Sequence, residues 1–91
     1  MTQKTNKWKK FAAEIDYNIE KIDLHSTTNI FDALEKLEKE LYHMYVEKKE
    51  YCEVIHGIGE GKLSSAVHNA LKKNPLISDY SCRGGSCLVF F

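Results

Sequence analysis

The sequence predicts a two-layer α/β (α+β) sandwich of order β-α-β-α-β-β, with two main helices lying on a mixed four-stranded sheet. Three observations lead there. Apolar Ile22 and Leu24 alternate with polar neighbours, each of the first two strand-like segments runs into a helical apolar period, and the stretch from Leu76 to Phe91 is split by a glycine pair. A chain of 91 residues has room for one core layer and no second domain.

The elements follow in order. Residues 1–18 read as a basic arm, since Lys4, Lys7, Lys9 and Lys10 precede the first acid, Glu14. Within the arm, Trp8, Phe11, Ala12 and Ile15 share one helical face. A short helix there is expected to lay that stripe on the domain and leave its lysines in water. The domain proper spans 19–91. A strand over 19–25 puts Lys21, Asp23 and His25 on one side and Ile22 and Leu24 on the other. Ser26, Thr27, Thr28 and Asn29 are candidate N-caps for a long helix carrying Ile30, Leu34, Leu37, Leu41 and Tyr45, which ends near Lys48 or Lys49. A second strand covers Tyr51 to His56. A second helix, with Leu63, Ala66, Val67, Ala70 and Leu71 on one face, stops just before Pro75. Two further strands are joined tightly at Arg83-Gly84-Gly85-Ser86. Strand–helix–strand connectivity makes the first two strands parallel, and the last two form an antiparallel hairpin.

Parallel strands bring their carboxyl ends to one edge, where open α/β sheets bind ligands. Two polar groups of residues fall there. Asp23 and His25 are two apart, and a carboxylate so placed orients an imidazole for proton transfer. His56-Gly57-Ile58-Gly59-Glu60-Gly61-Lys62-Leu63 links a strand to a helix. Its glycines admit close backbone approach, and the helix start offers N–H groups and a dipole to a phosphate. The glycine spacing is neither a Walker loop nor a dinucleotide fingerprint. Lys62 partly offsets the unfavourable charge of Glu60.

Taken in this order, Ile22-Asp23-Leu24-His25 and His56-Gly57-Ile58-Gly59-Glu60-Gly61-Lys62-Leu63 resemble the L-D-L-H and H-G-x-G-x-G-x-L motifs of small MutS-related (Smr) domains. The resemblance covers residues 19–91. It implies the same β-α-β-α-β-β fold, and binding or metal-independent endonucleolytic cleavage of DNA or RNA. It further implies that Asp23 and His25 carry cleavage, while His56, Gly57, Gly59, Gly61 and Lys62 contact the nucleic acid. Three positions depart from the pattern: Ser26 stands where members usually have glycine, Ser64 where they usually have arginine, and Cys87 at the threonine of G-x-T-x-V. Without that arginine the site lacks a forked phosphate ligand.

Two functions remain open on this basis. One is an endonuclease or nickase acting through His25; the other is a non-catalytic module that docks nucleic acid or protein. Lys plus Arg and Asp plus Glu are 13 each, so any nucleic-acid surface is a local patch and not a global field. The sequence calls for no cofactor and no metal, because no His/Cys/carboxylate set has metal-ligand spacing. No membrane association is expected: no apolar run approaches the roughly 20 residues of a span, and no signal-type segment follows Met1, which makes the cytoplasm the default compartment. Cys52, Cys82 and Cys87 are expected as free thiols, although Cys82 and Cys87 face each other across the hairpin. His43 and His68 are expected as ordinary surface residues, away from the site.

Overall fold

The computed structural model describes residues 7–27, 29–58 and 61–91. Its elements run α1 (Lys7–Ile15), β1 (Lys21–Asp23), α2 (Ile30–Val46), β2 (Tyr51–Ile55), α3 (Lys62–Lys73), β3 (Asp79–Arg83) and β4 (Ser86–Phe90). The four strands lie side by side as β1-β2-β4-β3, with β1 and β2 parallel and the remaining pairs antiparallel. This is the mixed sheet that the strand–helix–strand pattern and the glycine hairpin predict.

One face of the sheet carries the core. Ile22 and Leu24, Cys52 and Val54, and Cys87 and Val89 point the same way and are covered by Ala33, Leu37, Leu41 and Met44 of α2 and by Val67 and Leu71 of α3. Burial of each such aliphatic side chain contributes about 1.5–3 kcal/mol. The buried stripe of α2 is offset from the expected one. Ala33 and Met44 are inside, whereas Ile30 and Tyr45 are exposed, because a helix meeting a sheet obliquely buries the row that follows its own tilt.

The ends of α2 show why it sits where it does. Asn29 accepts from the backbone N–H of Asp32 (2.8 Å) and donates its amide to the Asp32 carboxylate (3.1 Å), closing the first turn. At the other end Lys48 takes a left-handed conformation (φ 64°). The N–H groups of Lys48 and Lys49 return to the carbonyls of Tyr45 and Met44 in a Schellman closure.

Helix α1 forms as expected but packs differently. Trp8, Phe11 and Ile15 are all more than half exposed, and the buried residue of α1 is Ala13. The lysines do the anchoring: Lys10 pairs with Asp79 (3.3 Å) and Lys9 donates to the Phe91 carbonyl (3.3 Å). Asp79 lies opposite Phe90, whose side chain is on the sheet face away from the core, buried and edge-on to Tyr51. The expected stripe is turned outward because these polar contacts to the last strands fix the rotation of the helix. Lys4 of the arm lies outside the described residues.

The cysteine expectation is also corrected. Cys82 and Cys87 are register partners in the hairpin and form a disulfide, while Cys52 is a free, buried thiol. Directly opposed residues of an antiparallel pair carry their side chains on the same face within bonding reach, which permits the bond. Among the described residues no helix is long and apolar enough to cross a membrane.

Candidate functional site

At the carboxyl edge of the parallel strands, β1 ends at Asp23, two residues earlier than the alternation suggests. Leu24 still donates to the Ile55 carbonyl (2.7 Å), but the Asp23 carboxylate accepts the backbone N–H of His25 (2.9 Å) and turns the chain out of the sheet. Asp23 therefore holds the main chain of His25 and not its imidazole. Both side chains are exposed, as the alternation requires. Lys36 of α2 donates to the Asp23 carbonyl (3.0 Å), which brings an ammonium group to this corner.

The glycine segment follows β2. Gly57 has φ 85° and lies against the Cδ2 edge of the His25 ring: a Cβ at this position would overlap Cδ2 and stand 3.2 Å from Cγ and 3.3 Å from Nε2. The two sequence motifs thus meet at a side chain and a bare Cα. The hairpin turn supports the contact from the other side. Gly85 carbonyl oxygen accepts from both His56 and Gly57 N–H (2.9 Å each), and a Cβ on Gly85 would press to 3.1 Å on the Gly57 backbone.

The expected phosphate ligands separate into two groups. His56 is buried, with Nδ1 against the Gly57 carbonyl (3.0 Å), and its backbone N–H and that of Gly57 already serve Gly85. These two residues shape the loop from below. Gly61 and Lys62 are at the start of α3, where Gly61 is left-handed (φ 94°), no side chain among the described residues caps the helix, and the Lys62 side chain is exposed. The first-turn N–H groups of a helix have no intrahelical acceptors, so an anion is well placed there. Gly59, expected at the centre of the site, and Glu60 lie outside the described residues.

Two residues escaped the sequence reading. Lys36 carried no signal to set it apart from the other exposed lysines of α2. His68, expected on the surface, is half-buried with its ring 5.3 Å from that of His56 and Nε2 3.4 Å from Ser64 Oγ. Nothing in the spacing announces this contact, which arises because α3 folds back over the end of β2. His43 is exposed, as expected.

A two-layer sandwich with an imidazole against the glycine segment that follows β2 belongs to the class of open α/β domains whose parallel strands end together at one edge. The family model described as the Smr domain matches residues 22–86, and the chain belongs to the Smr domain family. Similar curated proteins carry the name Endonuclease MutS2. That of Borreliella burgdorferi is 36% identical over 83 residues, which cover 86% of this chain and 10% of that protein. That of Halothermothrix orenii is 44% identical over 48 residues, covering 53% of this chain and 6% of that one. That of Aquifex aeolicus is 43% identical over 58 residues, covering 59% and 8%. The chain therefore spans a tenth or less of the length of these relatives. The crystal structure of the Smr domain of Thermus thermophilus MutS2 superimposes with a TM-score of 0.73 at 22% identity, covering 79% of this chain and 96% of that one, a likeness of fold.

Proposed function

We propose that this Smr domain binds nucleic-acid phosphate at the edge between His25 and the start of α3, and that it is an endonuclease or nickase acting on RNA or DNA without a catalytic metal. The observation that carries the reading is the contact of the His25 imidazole edge with Gly57, in the segment that leads from β2 to α3. In this mechanism the imidazole takes a proton from an attacking water or from a 2′-hydroxyl. The first-turn N–H groups of α3, with Lys62 and Lys36 nearby, stabilise charge on the phosphoryl oxygens. Asp23 acts as a positioning residue through the His25 backbone. The name of the MutS2 relatives, endonuclease, supports the reaction class.

The second reading is a non-catalytic docking module for nucleic acid or protein. It is favoured by the engagement of Asp23 with a backbone N–H instead of the imidazole, and by Ser64 at the start of α3 where a forked arginine would hold phosphate. Incubation of the purified protein with labelled single-stranded RNA and DNA, with and without EDTA, separates the two. Cleavage that persists in EDTA and is lost in His25→Ala supports the nuclease. Binding without cleavage assigns a reader.

A further inference from the structure

His56, His68 and Cys87 come from the end of β2, from α3 and from β4, and one ligand atom of each lies within 4.8 Å of the other two. The polar arrangement around them is specific. A carbonyl only accepts, so the 3.0 Å contact from Nδ1 to the Gly57 carbonyl puts the His56 proton on Nδ1. Nε2 is left with its lone pair, 3.7 Å from Cys87 Sγ. A ring nitrogen whose partner N–H is fixed by a backbone carbonyl is the usual form of a metal-bound histidine. Tetrahedral zinc, with bonds of about 2.0–2.1 Å to nitrogen and 2.3 Å to sulfur, needs donors roughly 3.3–3.8 Å apart, a contraction within reach of side-chain adjustment here. What keeps Cys87 from serving as a thiolate is its bond to Cys82.

We propose that reduction of the Cys82–Cys87 disulfide opens a site for a thiophilic divalent cation, zinc above all, held by His56, His68 and Cys87. The reductant is a dithiol. It delivers two electrons and two protons, becoming a cyclic disulfide, and Cys82 and Cys87 become thiols. Metal binding then displaces the Cys87 thiol proton to solvent and forms one metal–sulfur and two metal–nitrogen bonds, with the fourth position left to water. Oxidation reverses the exchange, since a sulfur in a disulfide is no thiolate ligand. The metal would tie the base of the glycine segment to α3 and the hairpin, behind the His25 edge. The inference does not depend on the domain being a nuclease.

The test uses the whole chain, reduced with a dithiol that is then removed by anaerobic gel filtration, and titrated with cobalt(II). The expected result is one equivalent bound, with the thiolate-to-cobalt charge-transfer band and the visible bands of a tetrahedral site, both erased by zinc. The oxidised protein should show neither. Cys82→Ser cannot form the disulfide and should bind without any reductant. Cys87→Ser should lose the charge-transfer band, and His68→Ala, at a half-buried position where circular dichroism can check folding, should weaken binding at least tenfold. No cobalt–thiolate band in the reduced protein, the same band in Cys87→Ser, or equal binding by oxidised protein would each overturn the proposal.

Discussion

The bare Cα of Gly57 abuts the Cδ2 edge of the His25 imidazole. Any side chain at position 57 would have to share that space in a backbone conformation of positive φ. Gly57→Ala is expected to lose about 1–2 kcal/mol of stability from the left-handed conformation and to displace the ring. In the Gly57→Ala/His25→Ala double variant the overlap is gone and only the backbone term remains. Urea denaturation of the two singles and the double gives the coupling; strictly additive losses would show that the ring does not rest on Gly57.

If His25 is the general base, His25→Ala should lower cleavage about 10²–10⁴-fold while binding and folding stay nearly unchanged. The two Asp23 variants should then diverge. Asp23→Asn keeps a side-chain oxygen for the His25 N–H and should remain within about tenfold of wild type, whereas Asp23→Ala removes the acceptor that turns the chain and should fall further. Single-turnover rates on a labelled oligonucleotide measure the order; equal losses in the two variants would point to the carboxylate charge and away from the turn.

The two ends of α2 predict changes of opposite sign. Asn29→Ala removes both contacts to Asp32 and should destabilise by about 1 kcal/mol. Lys48→Gly relieves a left-handed residue in an otherwise complete Schellman closure and should stabilise by about 0.5–1 kcal/mol. Thermal melts of both variants, run beside wild type, should move in opposite directions.

Burial pushes the Cys52 thiol from its ordinary 9.0 up to about 12, with smaller contributions from Glu20 and Glu53. The hydrogen bond from Tyr51 to Asp16 (2.9 Å) raises the Tyr51 phenol in the same sense. Both groups favour the protonated form when folded, so their stabilisation is fully present below pH 9. For Cys52 it is lost as the pH climbs from 9.0 towards about 12, where the unfolded chain ionises first. Stability measured across that window should decline and Cys52→Ala should flatten the decline. At pH 8 Cys52 should resist alkylation until denaturant is added.

Element order, the direction of the first two strands and of the hairpin, and the meeting of the two motifs were legible because each rests on local periodicity or on a connection rule; the pairing of β2 with β4 was not. Val67 and Leu71 are inside, as the apolar face of α3 requires, and β1 runs parallel to β2 as a crossover demands. What periodicity does not carry is rotation and distance. The face on which α1 packs is chosen by Lys10 with Asp79 and by Lys9 with the Phe91 carbonyl, partners near the other end of the chain. The early end of β1 depends on a side chain competing for its own backbone at Asp23. That His56 is buried, with the His68 ring beside it, depends on how α3 packs against the end of β2, which its motif does not announce.

The carbonyl of Gly85 accepts from two successive N–H groups at the base of the glycine segment. The place of the hairpin turn and the place of Gly57 against His25 are therefore set together. One residue added between Arg83 and Ser86 would shift that carbonyl and carry Gly57 away from the imidazole edge. Variation in this domain should then be tolerated along the outer side chains of β3 and forbidden in the count of its turn, although the turn itself supplies no reactive group.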